Sequence, residues 1–415
     1  MDTGDKKVEI DKKDHNINKI FFNKYHCIKK LGKGSFGNIY EAEYNGELYA
    51  IKIEKIDNYE NYLENEAVIM NYLKGPYIPH IKYYGSNEEN NILVMDLLGK
   101  NLEQLFEERK RFSLKTVCML GYQFVTILEY IHNRDILHRD IKPDNFVMGL
   151  NESSKYVYLL DFGLAKKYRS HKTLKQIPFE NKKKVVGTTR YASINALRGF
   201  EHSRKDDLEA AGYILVYFIK GRLPWQGITS KDKVDRYRKI LKKKIDITPR
   251  ELCQGLPEEF EHYISYTRNL DYYDEPDYQL LKGFFITMIE KAGYKFDYIY
   301  DWTTHEESLK IKESLNKGEL ESNHRKTTFT SNRHFEDSIE DNNYLNLDNN
   351  KNCLISKFNC NVNIEKNYDY IINNDRNNHN KENEEAIIFS KRNDYLNSIN
   401  NEEDVVCCTS DCNIF

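Results

Sequence analysis

His138-Arg139-Asp140-Ile141-Lys142-Pro143-Asp144-Asn145 is followed, after the apolar run Tyr156–Leu160, by Asp161-Phe162-Gly163. Phosphoryl transfer asks little covalent chemistry of a protein; it needs a positioned hydroxyl and neutralised phosphate oxygens. Asp140 can orient the hydroxyl and accept its proton, and Lys142 can balance charge on the moving group. Asn145 and Asp161 offer oxygen ligands to Mg²⁺. Any one of these residues alone reads as a polar side chain in water. All of them in this order and spacing argue for a phosphate-transfer site.

Upstream, Leu31-Gly32-Lys33-Gly34-Ser35-Phe36-Gly37 is a glycine-rich loop whose backbone N–H groups can approach phosphate oxygens. A dinucleotide-binding loop would be followed by a helix, whereas here strand-like sequence follows. Within Tyr49-Ala50-Ile51-Lys52, period-two alternation puts Ala50 and Lys52 on one strand face. A lysine pointing inward needs a counter-ion. Glu66 and Glu64 are the candidates. Glu66 is preferred because Ile69, Met70 and Leu73 share its helical stripe.

Strand patterns occupy Tyr25–Leu31, Asn38–Tyr44, Glu47–Glu54 and Ile92–Met95, with a hairpin signal at Asn45-Gly46 and a helix over Asn61–Leu73. A helix-rich half follows: Ser113 can cap a helix carrying Val117, Leu120, Phe124, Leu128 and Ile131 on one face. The apolar run Ala210–Ile219 is far shorter than the roughly 20 residues that cross a bilayer, and reads as a buried helix.

The 415 residues allow a two-lobed enzyme with an additional tail. A net charge of −3 gives no global pull toward nucleic acid. Cys27, Cys118 and Cys253 are scattered, as buried apolar residues would be, while Cys353, Cys360, Cys407, Cys408 and Cys412 lie in the tail without zinc-ligand spacing. No secretory leader is visible, and Asp2 stands where myristoylation needs Gly, so a cytoplasmic chain is expected. After Thr303 roughly a fifth of the residues are Asn and few are apolar, so 303–415 is expected to be largely disordered.

The ordered set of glycine-rich loop, Ala-Ile-Lys, His-Arg-Asp and Asp-Phe-Gly resembles eukaryotic protein kinases. Further runs resemble the casein kinase 1 family: Leu97-Leu-Gly99, Asn101–Phe106, Asp161–Arg169, Gly187–Asn195, Asp206–Glu209 and Leu223–Gly227. Ser193-Ile194-Asn195, where most other kinases carry Ala-Pro-Glu, is the most specific. The resemblance spans about Lys24 to Trp302. It implies an α+β bilobal fold, with an antiparallel-sheet N-lobe carrying one main helix (25–95), a hinge (96–99) and a larger helical C-lobe (100–302), after a flexible segment 1–24.

The resemblance also implies Ser/Thr phosphorylation with ATP and Mg²⁺; a monomer is expected, and the charge balance gives no reason to expect a nucleic-acid partner. Met95 would guard the adenine pocket, Asp96–Leu98 would supply hinge hydrogen bonds, and Ile39 and Ala50 would cover the base. Asp207 would hold the catalytic loop, with His138 and Phe162 in packing roles. Family members favour protein sites with acidic or phosphorylated residues upstream of the target. Arg190, Gly227, Lys233 and Arg236 match that anion pocket, and Lys182-Lys183-Lys184 lies near it in sequence. Asp232–Tyr237 departs from the family pattern by adding two carboxylates. The activation segment, Gly163–Tyr191, is expected to work without phosphorylation.

The C-terminal Cys412-Asn413-Ile414-Phe415 has a prenylation pattern, with Cys407 and Cys408 as palmitoylation sites that would bring the enzyme to a cytoplasmic membrane face. The alternatives from other classes are a pseudokinase and a membrane-tethered scaffold that binds phosphoproteins.

Overall fold

The structure is a computed structural model that describes residues 14–34, 37–56, 62–181 and 184–326. It divides into a unit that runs to Thr303 and a second that begins at Thr304. In the first, strands β1 (Ile20–Phe21), β2 (Tyr25–Lys33), β3 (Asn38–Tyr44), β4 (Glu47–Lys55), β5 (Ile81–Ser86) and β6 (Asn90–Asp96) form one antiparallel sheet, ordered β1-β2-β3-β4-β6-β5. Asn45 and Gly46 both take positive φ, 56° and 80°, as the tight β3–β4 hairpin turn requires.

Alternation along β4 and β6 divides their side chains between two cores. Ala50, Leu93 and Met95 face helix α1 (Tyr62–Leu73) and pack in one cluster with Leu63, Ala67 and Met70. Ile51, Ile53, Ile92 and Val94 face the other way and join Tyr25, Cys27, Tyr40 and Ala42. Lys52 lies in register with Ile39 on one side and Leu93 on the other, which sets its side chain on the α1 face.

The larger lobe begins with α2 (Leu102–Arg109) and α3 (Leu114–Asn133), the latter capped by Ser113, whose side chain accepts from Thr116 N–H. Two small hairpins follow. β7 (Ile136–Leu137) pairs with β10 (Lys166–Lys167), and β8 (Phe146–Met148) pairs with β9 (Val157–Leu159). Between and after these strands hang the His138–Asn145 loop and Asp161. The remaining helices are α4 (Ile194–Leu197), α5 (Arg204–Lys220), α6 (Lys233–Asp246), α7 (Pro249–Leu252), α8 (Glu258–Asn269) and α9 (Tyr278–Lys291). α3 packs against α5 and α9, and the Phe124 and Phe146 rings stack at 3.8 Å to join α3 to the hairpin beneath the site. The α+β arrangement of a sheet lobe over a helical lobe is thus present. Cys27, Cys118 and Cys253 are free thiols in the cores.

Two segments differ from the sequence expectation. Residues 14–24, read as part of a flexible N-terminal segment, pack on the sheet: Tyr40 donates its hydroxyl hydrogen to Asp14, Phe21 is buried, and Cys27 N–H bonds Lys19 C=O. A two-residue strand is too short to show alternation, so the pattern was silent there. In the second unit, after Thr304, the 22 residues His305–Lys326 form α10, within the region 303–415 expected to be largely disordered. Among the described residues no helix is long and apolar enough to cross a membrane.

Candidate active site

The N-lobe sheet and α1 bring Lys52 Nζ to 2.6 Å from Glu66 Oε2, and the β9 exit brings Asp161 Oδ1 to 2.8 Å from the same ammonium. Glu64 is exposed on the same helix. Burial works to discharge Lys52, but Asp161 and Glu66 outweigh it and hold its pKa above the ordinary lysine value. Asn65, between the two glutamates, donates to the Gly163 carbonyl at 2.9 Å and so fastens α1 to the Asp161-Phe162-Gly163 turn. Asp161 itself has φ 65°, an uncommon backbone state for a residue with a side chain and one that concentrates at functional sites.

In the His138–Asn145 loop, Asp140 Oδ1 accepts from Thr188 N–H and Thr188 Oγ1, each at 2.8 Å, and Lys142 Nζ lies 2.8 Å from Oδ2. The carboxylate is therefore fixed in orientation, with a cation beside it. Burial opposes charge on Lys142, but Asp140 and Asp161 keep its pKa above the usual range. The loop hangs from Asp207, whose Oδ2 and Oδ1 accept the N–H groups of His138 and Arg139 at 2.8 and 2.9 Å, with His132 Nε2 at 3.1 Å. Burial would raise the Asp207 pKa, yet these hydrogen bonds hold it below the usual value. His138 Nε2 lies 2.9 Å from Leu160 C=O and its ring meets Phe162 edge-on.

The surroundings fit a nucleotide and a hard cation. Among the described residues the backbone N–H and C=O of Leu98, at the hinge, have no protein partner, which suits an adenine edge. Ala50 and Met95 are register partners behind it, and Ile39 opposes Lys52. Asn145 donates Nδ2–H to Asp140 C=O at 2.9 Å, which leaves its amide oxygen, with the Asp161 carboxylate, as the donors that would hold a cation. Among the described residues no cluster of three His, Cys, Asp or Glu side chains could hold a metal. A Mg²⁺ ion bound by one or two protein oxygens, completed by phosphate and water, matches this sparse donor set. Mg²⁺ would neutralise phosphate charge there; Lys52, Asp140 and Lys142 would position nucleotide, hydroxyl and transferring group.

The glycine-rich loop divides in role. A Cβ on Gly37 would lie 2.3 Å from Ile53 C=O, so Gly37 is required by packing of its own sheet. Gly32 has open space where a Cβ would be, and Gly34 N–H bonds Gly37 C=O at 2.7 Å. Leu31 is exposed at the loop's start. Ser35 and Phe36 lie outside the described residues, as do Lys182, Lys183, Cys353, Cys360, Cys407, Cys408 and Cys412.

Downstream, Arg190 projects from the loop that ends at α4, its side chain 43% exposed. Ser193 caps α4 by accepting from Ala196 N–H, and donates its hydroxyl to Asp206. Trp225 Nε1–H donates to Arg190 C=O at 2.7 Å, and Gly227, two residues after Trp225, takes φ 81°. Lys233 and Arg236 open α6; among the described residues no ion pair joins Arg236 to the Arg190 loop, and the Lys233 side chain lies outside the description.

Four further contributors were given no site role in the sequence reading, although Thr188 and Glu103 lie within its family-like runs. Thr188 binds the Asp140 carboxylate. Asn65 ties α1 to the metal-side turn. Lys244, fully buried, donates to the carbonyls of Thr189 and Ala192 at 3.0 and 2.6 Å under the Tyr213 and Trp225 rings. Glu103 on α2 lies 3.7 Å from Arg190.

The protein kinase domain profile matches residues 25–276, more than half of the chain and the whole of the geometry above from the glycine-rich loop to Trp225. The chain belongs to the protein kinase family, and as such uses ATP and Mg²⁺ to phosphorylate protein substrates.

Proposed function

We propose that this kinase is of the casein kinase 1 type and phosphorylates Ser or Thr at sites with an acidic or phosphorylated residue upstream. The observation that carries the reading is Arg190, half-exposed in the loop that leads into Ser193-Ile194-Asn195, its carbonyl held by Trp225. Among the described residues its guanidinium makes long contacts, 3.4 Å to Tyr191 Oη, 3.7 Å to Glu103 and 5.7 Å to the centre of the Tyr191 ring, so most of its donors remain for a substrate anion. Lys52, Asp140 and Asp161 are together in a geometry suited to transfer, which favours an enzyme over a scaffold. Assay of paired peptides, identical except for phosphothreonine or threonine three residues before the target serine, tests the proposal. Expected is a KM at least fivefold lower for the phosphorylated peptide; equal KM values overturn it.

The proposal extends to location through thioacylation of Cys407 and Cys408 and lipidation of Cys412, which would place the enzyme at a cytoplasmic membrane face. Fractionation of cells expressing the full chain, with these cysteines as such or changed to Ser, decides this; an unchanged distribution removes the membrane role.

A further inference from the structure

The Arg190 surface contains an acid of its own. Glu103 sits in the first turn of α2, its side chain 19% exposed, with Oε1 accepting from Tyr217 Oη at 3.2 Å and lying 3.7 Å from Arg190 Nη1. Its second oxygen, Oε2, is buried and has no hydrogen-bond partner among the described residues. A carboxylate left half-satisfied is costly to bury. The distance to Arg190 exceeds hydrogen-bond range, so attraction acts through the field and leaves the guanidinium fork open.

We propose that Glu103 is a specificity-determining residue of the substrate-anion site, holding Arg190 when no substrate is present and opposing each negative charge that arrives there. This rests on the reading of Arg190 as the substrate-phosphate ligand. Two consequences follow from charge alone. Glu103 partly occupies the field of Arg190, which weakens every anion; and its repulsion scales with the arriving charge, so a phosphate dianion is opposed more than a carboxylate. Glu103 thereby limits how strongly priming improves a substrate. Product carrying a phosphate at the same place is released faster for the same reason.

The surroundings support a carboxylate that is sensitive to charge. Burial, with Asp144 and Glu107 nearby, pushes the Glu103 pKa up to about 7, against the lowering effects of Arg190 and of the Tyr217 hydrogen bond. Tyr191, across from it, is also held neutral by burial and by Glu103. The brake is therefore stronger at pH 8 than at pH 6.5.

The test compares the full chain with E103Q, E103D and R190A on three peptides carrying phosphothreonine, aspartate or alanine three residues before the target serine. In E103Q the fall in KM is expected to rank phosphothreonine, then aspartate, then alanine, with at least fivefold for the first at pH 8 and less at pH 6.5. E103D keeps the charge and should retain the ranking of the unsubstituted chain. An equal change for all three peptides, or a KM for the phosphopeptide that rises in E103Q, overturns the inference. R190A separates the two levels. If R190A leaves the phosphopeptide KM unaltered, the Arg190 reading itself fails; if R190A raises it while E103Q has no charge-ranked effect, only the role of Glu103 fails.

Discussion

Asp140 is 3% exposed and both of its carboxylate oxygens are engaged, by Thr188 on one side and Lys142 on the other. An amide in its place keeps an oxygen for Thr188 but can accept no proton from a substrate hydroxyl. Asp140→Asn is therefore expected to lower kcat by about 10²–10⁴-fold, the usual contribution of general-base catalysis. Because shape and most hydrogen bonds persist, its thermal midpoint should stay within a few degrees of that of the unsubstituted protein. Initial rates of phosphate transfer to casein, beside a thermal melt, check both halves; undiminished kcat would remove Asp140 from the chemistry. At this scale sequence exposes residues whose chemistry is set by neighbours along the chain, as at 138–145. It hides those that act across it. Lys244 stands in the run Lys242-Lys243-Lys244, where nothing distinguishes the one amine that is buried against the Thr189–Ala192 backbone from two that are solvated.

Elements differ in how openly their sequence declares them. β3 and β4 are marked by the Asn45-Gly46 turn between them; β4 has an apolar core on each face, so Tyr49–Ile53 reads as an almost continuous apolar run broken by Lys52, and α3 carries a continuous apolar stripe. β5 has no strong alternation, its residues being mostly half-exposed at the sheet edge, and β1 is too short for a period. α5 misleads in the opposite sense. Its first turns, Arg204-Lys205-Asp206-Asp207, look like a solvated helix start, yet all four are buried and satisfy backbone groups of the segments around them. His202, just before α5, has neither ring nitrogen bonded among the described residues, and it borders a cavity of about 10 Å³ with Arg139, Asp140 and Asp206. Burial, helped by Arg139, depresses its pKa to about 4. In the unfolded chain histidine titrates near 6.5, so between these values the unfolded state binds more protons and stability rises with pH. Acidification from 6.5 to 4 should cost about 3 kcal/mol through this group alone. Burial has the opposite consequence at Asp206, whose pKa is pushed up to about 7, so the comparison must be made against a variant. His202→Gln should lose less stability than the unsubstituted protein across pH 6.5 to 4, measured by urea unfolding at each pH; parallel curves would contradict the assignment.

The first unit closes on itself well beyond the last residue of the kinase profile. Residue 276 precedes α9, whose Leu281, Phe285 and Met288 are buried and whose packing on α3 shields the helix that carries the catalytic lobe. Past α9 a short strap completes the lobe. Asp301 accepts from both the N–H and the hydroxyl of Ser113, the cap of α3, each at 2.6 Å. Tyr300 accepts from Gln123 Nε2 at 2.6 Å and donates to Lys155 C=O at 2.7 Å, while Trp302 packs on Phe112. Abrupt loss of apolar residues after Thr303 made this end legible in composition, whereas the strap's hydrogen bonds join residues nearly two hundred positions apart and leave no local pattern. A chain ending at Thr303 is accordingly expected to keep kcat within about twofold on soluble peptides and its thermal midpoint within a few degrees. One ending at Gly293 loses the strap while retaining α9. Each buried polar group left unsatisfied costs about 1–3 kcal/mol, and Gln123, Lys155 C=O and the Ser113 cap are all affected. At roughly 2–4 °C per kcal/mol for a unit of this size, the midpoint should fall by on the order of 10 °C. Thermal melts and peptide kinetics of the two truncations decide it: equal midpoints would mean that the strap adds nothing to the lobe, and a collapse of the longer one would move the boundary of the folded kinase beyond Thr303.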